Sequence, residues 1–266
     1  MKNKKQNETK TVLITGTTSG IGLELSKKFA KERFNLVLVS RNGEKLNSQK
    51  EDLERNYNVA IYVIAKDISE PNAPEEIFSA VKNQNIHVDI LVNNAGFNES
   101  GKFHETMLDN ELRMVQVHIM ALTGLTKLFL PGMIKNNYGK ILNLGSTGSF
   151  TPCPMDAVYC ATKAYVLSFS SALRAELSGT GVTVSTLCPG ATRTEFAKKA
   201  NMENTLLFKI LVMEPQIVAK IAYNQFMKKN RKVIIPGFYN RLLVLSIPFT
   251  PNKILEILSV FLLRRK

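Results

Sequence analysis

Val12-Leu13-Ile14-Thr15-Gly16-Thr17-Thr18-Ser19-Gly20-Ile21-Gly22 runs from a short apolar segment into a turn carrying three glycines, and the fold is read outward from it. A brief apolar run closed by glycine predicts a buried parallel strand. A helical pattern follows the turn through Ala30. Strand, glycine turn and helix N-terminus together make an anion site: free backbone N–H groups and the helix dipole face the ligand, and missing β-carbons let it approach. The spacing is Gly-x3-Gly-x-Gly rather than Gly-x-Gly-x-x-Gly. A tight structural turn would use the same glycines. Its place after the first strand favours a phosphorylated cofactor, with Gly16, Thr18, Ser19, Gly20, Ile21 and Gly22 as candidate contacts.

Going C-terminal, Asn35 to Ser40 predicts the second strand, ending in Ser40-Arg41-Asn42. In a doubly wound sheet that strand end lies beside the adenosine ribose. An acidic residue there would bond a free 2′-hydroxyl, whereas Arg41 suits a 2′-phosphate; the alternative is a solvated loop arginine. A surface helix over Glu44 to Arg55 and a third strand over Val59 to Ala65 precede Lys66-Asp67-Ile68. Asp67 either accepts from an adenine amino group or caps the next turn. Glu75 to Lys82 is helical, and Val88 to Val92 is a fourth strand leading into Asn93-Asn94-Ala95-Gly96. Leu108 to Ile134 has helical periodicity, Lys140 to Leu144 is a fifth strand ending at Gly145-Ser146-Thr147-Gly148, and Val182 to Leu187 is a sixth, followed by Cys188-Pro189-Gly190. This strand–helix alternation predicts one α/β domain: a doubly wound parallel sheet with helices on both faces.

Between strands five and six lies Tyr159-Cys160-Ala161-Thr162-Lys163, inside a helical run from about Met155 to Gly179. Residues four apart stack on one helix face. A phenol beside an ammonium is expected to have a lowered pKa and to exchange a proton with an alcohol or carbonyl oxygen. The same spacing occurs on many helices without chemistry, so the pair gains meaning only from its surroundings.

Length and composition agree with one large domain: 266 residues, 44% hydrophobic and 21% charged. The 35 Lys and Arg against 22 Asp and Glu give a net charge of +13, which favours an anionic partner. No nucleic-acid module and no metal-ligand spacing accompany that charge. Three cysteines, Cys153, Cys160 and Cys188, form no Cys-x-x-Cys pair, and point to free thiols in a reducing compartment, hence a cytoplasmic protein. Residues 1–10 read as a basic, floppy lead-in, 11–236 as the cofactor-binding catalytic domain with a substrate loop at 191–213, and 237–266 as an apolar extension of that domain. Phe196, Leu206, Leu207, Phe208 and Leu211 are expected to form a mobile apolar lid. The two apolar runs after Arg241 are each too short to span a bilayer. They either pack on the domain or a partner subunit, or touch a membrane, with Arg264-Arg265-Lys266 near anionic lipid.

Taken together, these residues resemble the short-chain dehydrogenase/reductase family from about Lys10 to Thr194. Thr15-Gly16-x3-Gly20-Ile21-Gly22 resembles its cofactor turn and Asn93-Asn94-Ala95-Gly96 its strand-four motif. Tyr159-x3-Lys163, with Ser146 upstream, resembles its catalytic set, and Pro189-Gly190 with Thr192 and Thr194 its nicotinamide-side loop. The resemblance implies a Rossmann-type sheet of about seven strands and hydride transfer between a nicotinamide and an alcohol or carbonyl carbon. It implies Tyr159 as general acid or base, Lys163 as the group tuning it and binding the nicotinamide ribose, and Ser146 as hydrogen-bond donor to the substrate oxygen. Ser40, Arg41, Asp67, Ile68, Asn94, Ala95 and Gly96 complete the expected contacts, with NADP(H) preferred over NAD(H) because of Arg41. A homodimer or homotetramer acting on an apolar carbonyl or alcohol is expected.

His118 departs from the pattern: Val117-His118-Ile119-Met120-Ala121 stands where the family usually has Val-Asn-x-x-(small). There the residue's backbone carbonyl helps hold a relay water. His118 is expected to be a tolerated substitution, with a titrating imidazole or weakened activity as alternatives. Two further readings stay open: a long-chain 3-oxoacyl or steroid reductase at a membrane surface, and a non-catalytic protein that senses NADP.

Overall fold

The computed structural model describes residues 9–263 apart from Asn201, Asn204 and Leu211, so most of the lead-in, Leu211 of the expected lid and the basic cluster 264–266 lie outside the described residues. Seven parallel strands form one sheet in the order β3-β2-β1-β4-β5-β6-β7. They are β1 Thr11–Thr15, β2 Asn35–Ser40, β3 Ile61–Ala65, β4 Ile90–Asn93, β5 Gly139–Leu144, β6 Val182–Leu187 and β7 Val233–Ile234. The helices between them are α1 Gly20–Lys31, α2 Gly43–Asn56, α3 Ala73–Asn83, α4 Leu108–Val115, α5 Leu122–Lys135 and α6 Ala157–Glu176. After β6 come the short α7 Glu195–Lys199 and α8 Leu206–Ile210, then α9 Pro215–Tyr223, and after β7 come α10 Phe238–Ser246 and α11 Asn252–Leu263.

Strand side chains alternate between two cores because successive residues point to opposite faces. Val12 and Ile14 of β1, with Leu36 and Leu38 of β2, pack under α1, α2 and α9 around Phe29 and Phe226. Leu13, Val37, Val39 and Leu91 face α3, α5 and α6 around Ile77, Phe129 and Leu173. Both faces are covered, so the strands read as continuous apolar runs. On the second face a buried polar chain fixes how the layers meet. Asn93 Nδ2 donates to Thr126 Oγ1 at 3.1 Å and to Asn143 Oδ1 at 2.9 Å, and Asn143 Nδ2 donates to Ser170 Oγ at 2.9 Å. That chain ties β4 and β5 to α5 and α6, and α6 carries Tyr159 and Lys163.

The long helix expected over Leu108 to Ile134 is interrupted. Residues Gln116–Ala121 are π-helical, between α4 and α5, and His118 lies within them. A π-bulge takes its register from tertiary contacts rather than from hydropathy, which explains why periodicity reads straight through it. The run 108–135 is long and apolar enough to cross a membrane, but Met114, Leu125, Phe129 and Met133 are buried against the domain.

Strand order reverses between β1 and β4, where a doubly wound sheet opens a crevice beyond its strand C-termini. The loops after β1, β2, β3, β4, β5 and β6 all end on that crevice.

Candidate active site

The crevice encloses about 360 Å³. Its floor at β1 is the glycine turn. Gly16 (φ 71°) and Gly20 (φ 57°) adopt left-handed backbone that a side chain disfavours. A β-carbon on Gly16 would sit 2.8 Å from the Ala95 backbone. Ser19 occupies the N-cap position of α1 without a side-chain cap bond, and the first turn contains no acid. The helix terminus therefore presents unfilled N–H donors and uncompensated positive dipole to the crevice, which suits a phosphate. Thr18 and Ser40 hydroxyls bond at 3.0 Å, joining the turn to the end of β2. Gly22 does not border the crevice. It lies behind the turn, where a β-carbon would meet the Gly16 carbonyl oxygen at 2.2 Å, so its part is close packing of α1 on β1.

Asn94, beyond β4, holds that turn from the other side. Its Nδ2 donates to the carbonyls of Thr15 at 2.8 Å and Gly16 at 3.0 Å, while its own N–H and that of Ala95 donate to Thr15 Oγ1, each at 3.0 Å. Gly96 is glycine for a different reason: a β-carbon there would lie 2.6 Å from His118 Nε2.

Arg41 and Asp67 both reach the crevice, and they reach each other. The Arg41 guanidinium is 3.6 Å from Asp67 Oδ2, with its side chain 62% exposed. Arg113, which sequence reasoning missed, stands 3.4 Å from the same oxygen. Asp67 Oδ1 accepts from the N–H and hydroxyl of Ser69, so the carboxylate caps its own turn. Burial works against ionisation of Asp67, but the Ser69 hydrogen bonds and then the two arginines hold its carboxyl below the usual range. The strand-two end is thus a cationic corner organised on one carboxylate. Arg113 sits one helical turn before Val117, another crevice residue, and that spacing was the available signal.

Ser146, Tyr159 and Lys163 converge beyond β5. Ser146 Oγ accepts from Gly148 N at 3.1 Å, and Ser149 Oγ accepts from Ser146 N at 3.1 Å, a reciprocal cap that fixes the serine. Lys163 Nζ donates to the Leu144 carbonyl at 2.9 Å. It lies 5.6 Å from the centre of the Tyr159 ring. The ring itself packs against His118 and Phe196, each with centroids 5.8 Å away.

The expected lowering of the Tyr159 pKa does not hold in this structure. Burial drives the phenol well above its ordinary value, and only the Ser146 hydroxyl opposes it. The lysine does not offset this, and burial lowers its own pKa to about 8. The neutral-pH state is a tyrosine that keeps its proton beside a lysine that only just keeps its charge.

His118 does not border the main crevice; it is buried directly behind it. The Phe97 backbone N–H donates to Nε2 at 3.3 Å, so Nε2 is the unprotonated nitrogen. Nδ1–H therefore donates to Thr162 Oγ1 at 2.8 Å, and that hydroxyl donates to the Tyr159 carbonyl at 2.7 Å. Burial, then the Lys163 charge, push the imidazole pKa well below its ordinary value. The tolerated-substitution reading keeps its helix distortion, and adds a neutral strut from the β4 loop through the π-helix to α6.

The loop after β6 completes the wall with Pro189, Gly190, Thr192 and Thr194. Thr194 covers Gly20, where a β-carbon would strike its Cγ2 at 2.9 Å. Beyond Tyr159 the crevice turns apolar, lined by Phe196, Met202, Leu207 and Phe208, and roofed by Leu255, Leu258, Leu262 and Leu263 of α11. Leu263 packs with Ala200 and Met202 in a small separate core. The tail's inner face thus packs on the domain, as one expectation had it. Its outer face leaves Leu245, Phe249, Ile257 and Phe261 each at least 60% exposed. No group of three or more His, Cys, Asp or Glu side chains suited to a metal occurs among the described residues.

Comparison with known proteins gives concordant results. A sequence model described as short chain dehydrogenase matches residues 10–205. An uncharacterised oxidoreductase of Bacillus subtilis is 34% identical over 227 residues, 85% of this chain and 82% of its own. Among solved structures, a short-chain dehydrogenase from Sphingobium yanoikuyae in complex with NADPH superposes with a TM-score of 0.81 at 32% identity, covering 89% of this chain and 92% of that one. A bulky-bulky ketone specific alcohol dehydrogenase from Comamonas testosteroni gives 0.76 at 30% identity, covering 88% and 90%.

Proposed function

The chain belongs to the short-chain dehydrogenase/reductase family, an oxidoreductase with a nicotinamide-binding fold acting at CH–OH or C=O, and we propose that it reduces the carbonyl of a bulky apolar substrate with NADPH. The observation that carries this reading is a tyrosine, with Lys163 5.6 Å from its ring centre, placed where a phosphate-binding turn meets an apolar pocket. A group that holds its proton through the neutral range is in the state needed to donate it. When bound, the nicotinamide supplies the hydride. Ser146 donates a hydrogen bond to the substrate oxygen as negative charge grows there, and Tyr159 delivers the proton from Oη to that oxygen. Lys163 holds the nicotinamide ribose and, through its charge, stabilises the tyrosinate left behind. Gly16, Thr18, Ser19, Gly20 and Ile21 receive the pyrophosphate, with Asn94 bracing the turn and Gly22 packing it. Ser40 and Arg41 receive the adenosine ribose and its 2′-phosphate. Asp67 and Ile68 flank the adenine, Ala95 and Gly96 the cofactor's edge, and Pro189 to Thr194 the nicotinamide. Residues 11–236 are the catalytic unit, and α10 and α11, up to Leu263, complete its substrate wall.

A carbonyl panel followed by loss of NADPH absorbance tests the proposal. Bulky apolar ketones and aldehydes should turn over faster than small polar ones, and NADPH should be used in preference to NADH. Arg41→Asp should weaken NADPH binding at least tenfold, since it replaces a phosphate-binding cation with a repelling anion beside Asp67. Equal use of both cofactors by the unaltered enzyme would overturn the NADP preference. Binding of NADPH without turnover of any carbonyl would favour the sensor reading.

The exposed apolar face of α10 and α11 favours a second reading, in which the substrate reaches the pocket from a membrane surface. The face adjoins the roof of the pocket, and residues 237–266 contain five Lys and Arg against one Glu. Co-sedimentation with anionic rather than neutral liposomes is expected in that case; sedimentation with neither would remove it.

A further inference from the structure

All three cysteines of the chain surround one short loop, Gly145–Gly148, that carries Ser146. Cys188 Sγ lies 3.0 Å from where a Gly145 β-carbon would be. On the other side, Cys160 Sγ and Cys153 Sγ lie 2.7 and 3.8 Å from the corresponding point on Gly148. Cys153 and Cys160 are therefore neighbours beside that glycine, close enough for each thiol to shift the other's ionisation, while the Cys153 thiol donates to the Thr151 carbonyl at 3.5 Å. Cys153 sits half-buried on the turn before α6 and Cys160 is buried in the first turn of α6, next to Tyr159. Both border the substrate end of the crevice, so a small polar reagent that enters the pocket meets them.

We propose that Cys153 and Cys160 are a site of reversible oxidation by hydroperoxides, forming a disulfide that shuts down the reaction at Ser146 and Tyr159. This rests on the proposed reading of those two residues. The two thiols differ in the way the chemistry requires. The neighbouring Cys160 holds the Cys153 thiol below its ordinary pKa, while the same neighbour and burial push Cys160 up and keep it protonated. Cys153, half-buried on the crevice wall and the more acidic of the two, is the one that attacks as its thiolate, and the buried Cys160 is the thiol that resolves. The Cys153 thiolate attacks a peroxide oxygen: an S–O bond forms, the O–O bond breaks, and the departing alkoxide or hydroxide takes a proton and leaves as alcohol or water. Cys160 sulfur then attacks the sulfenyl sulfur. An S–S bond forms, the S–O bond breaks, and the departing hydroxide leaves as water with the Cys160 proton. Two electrons pass from the sulfurs to the peroxide, and an external dithiol returns them.

The consequence follows from what lies beside the sulfurs. A disulfide brings them to about 2.05 Å, closer than any thiol–thiol hydrogen bond. The turn before α6 must move toward the helix, against Gly148, whose N–H fixes Ser146 Oγ. Serine and tyrosine then lose their common alignment.

The test treats the reduced enzyme with hydrogen peroxide, follows turnover relative to each variant's own untreated rate, and maps thiols by mass spectrometry without reduction. Expected is a disulfide joining the peptides of Cys153 and Cys160, with turnover reduced more than tenfold and restored by dithiothreitol. Cys153→Ser and Cys160→Ala should each abolish the reversible loss, and Cys188→Ala should retain it. Thermal melting confirms that each variant is folded. NADPH binding to the untreated enzyme, measured by fluorescence, separates failure of the disulfide from failure of the functional reading: a disulfide that forms in an enzyme that binds NADPH but reduces nothing condemns the latter alone. Loss that tracks Cys188, loss that dithiothreitol does not reverse, or a 153–160 disulfide with undiminished turnover would overturn the proposal.

Discussion

Tyr159→Phe is expected to lower kcat by about 10²–10⁴-fold while leaving NADPH affinity within a few fold. The ring keeps its contacts with His118 and Phe196, because both are made by carbon faces and edges that phenylalanine also has. Only Oη is lost, and with it the proton for the substrate oxygen. Folding should not suffer: Tyr159 is half-buried on the crevice wall, and the substitution removes one hydroxyl while leaving the ring's packing in place. A variant that is folded, binds NADPH and turns over hardly at all isolates the proton donor. Wild-type kcat in that variant would falsify the role given to Tyr159. The comparison also bears on the sensor alternative, since a sensor has no rate to lose.

The sheet was legible because its signals are local. Each strand is a run of apolar residues, and the strand boundaries in the structure differ from the sequence expectation mainly at their ends: β6 falls on Val182–Leu187 as expected, while β3 begins at Ile61 rather than Val59 and β4 at Ile90 rather than Val88. The candidate site was legible to the extent that it sits at strand C-termini, where small residues and glycine mark the turns. What sequence did not carry is set by contacts between distant segments. The π-helix at 116–121, the sharing of Asp67 by Arg41 and Arg113, and the roof that α11 lays over the pocket all depend on residues far apart in the chain. Electrostatics misled in the same way. A Tyr–Lys spacing reads as a lowered phenol pKa, but the sign depends on how much water is left, and desolvation outweighs the charge for both heads here. The alternative of a titrating His118 meets the same physics: burial and its two fixed hydrogen bonds make it a neutral strut.

Those two buried bases predict different pH behaviour. Lys163 in the free enzyme titrates at about 8, and the proposed ribose contact is a reason for it to be held charged in the complex. NADPH affinity should then fall about tenfold per pH unit above 8, until the bound lysine itself titrates. Lys163→Met should bind more weakly and show no such slope. Stability of the free protein should move the other way. The folded pKa of Lys163 is depressed below its unfolded value near 10.4. Below pH 8 the lysine is protonated in both states and the folded state bears the cost of a desolvated charge; between about 8 and 10.4 the unfolded chain binds more protons, so stability rises with pH. Measured against Lys163→Met, the gain is of order 3 kcal/mol across that window. His118 should be silent in both experiments, because it stays neutral through the neutral range. His118→Asn shortens the side chain so that it no longer spans from Phe97 to Thr162, which should lower kcat/KM without changing the shape of its pH profile. An acid limb near 6.5 that is present in the wild type and absent in His118→Asn would make the imidazole a titrating participant instead. A flat NADPH affinity between pH 7 and 10 would show that Lys163 carries the same charge with and without the cofactor, and would remove its ammonium from the binding of the nicotinamide ribose.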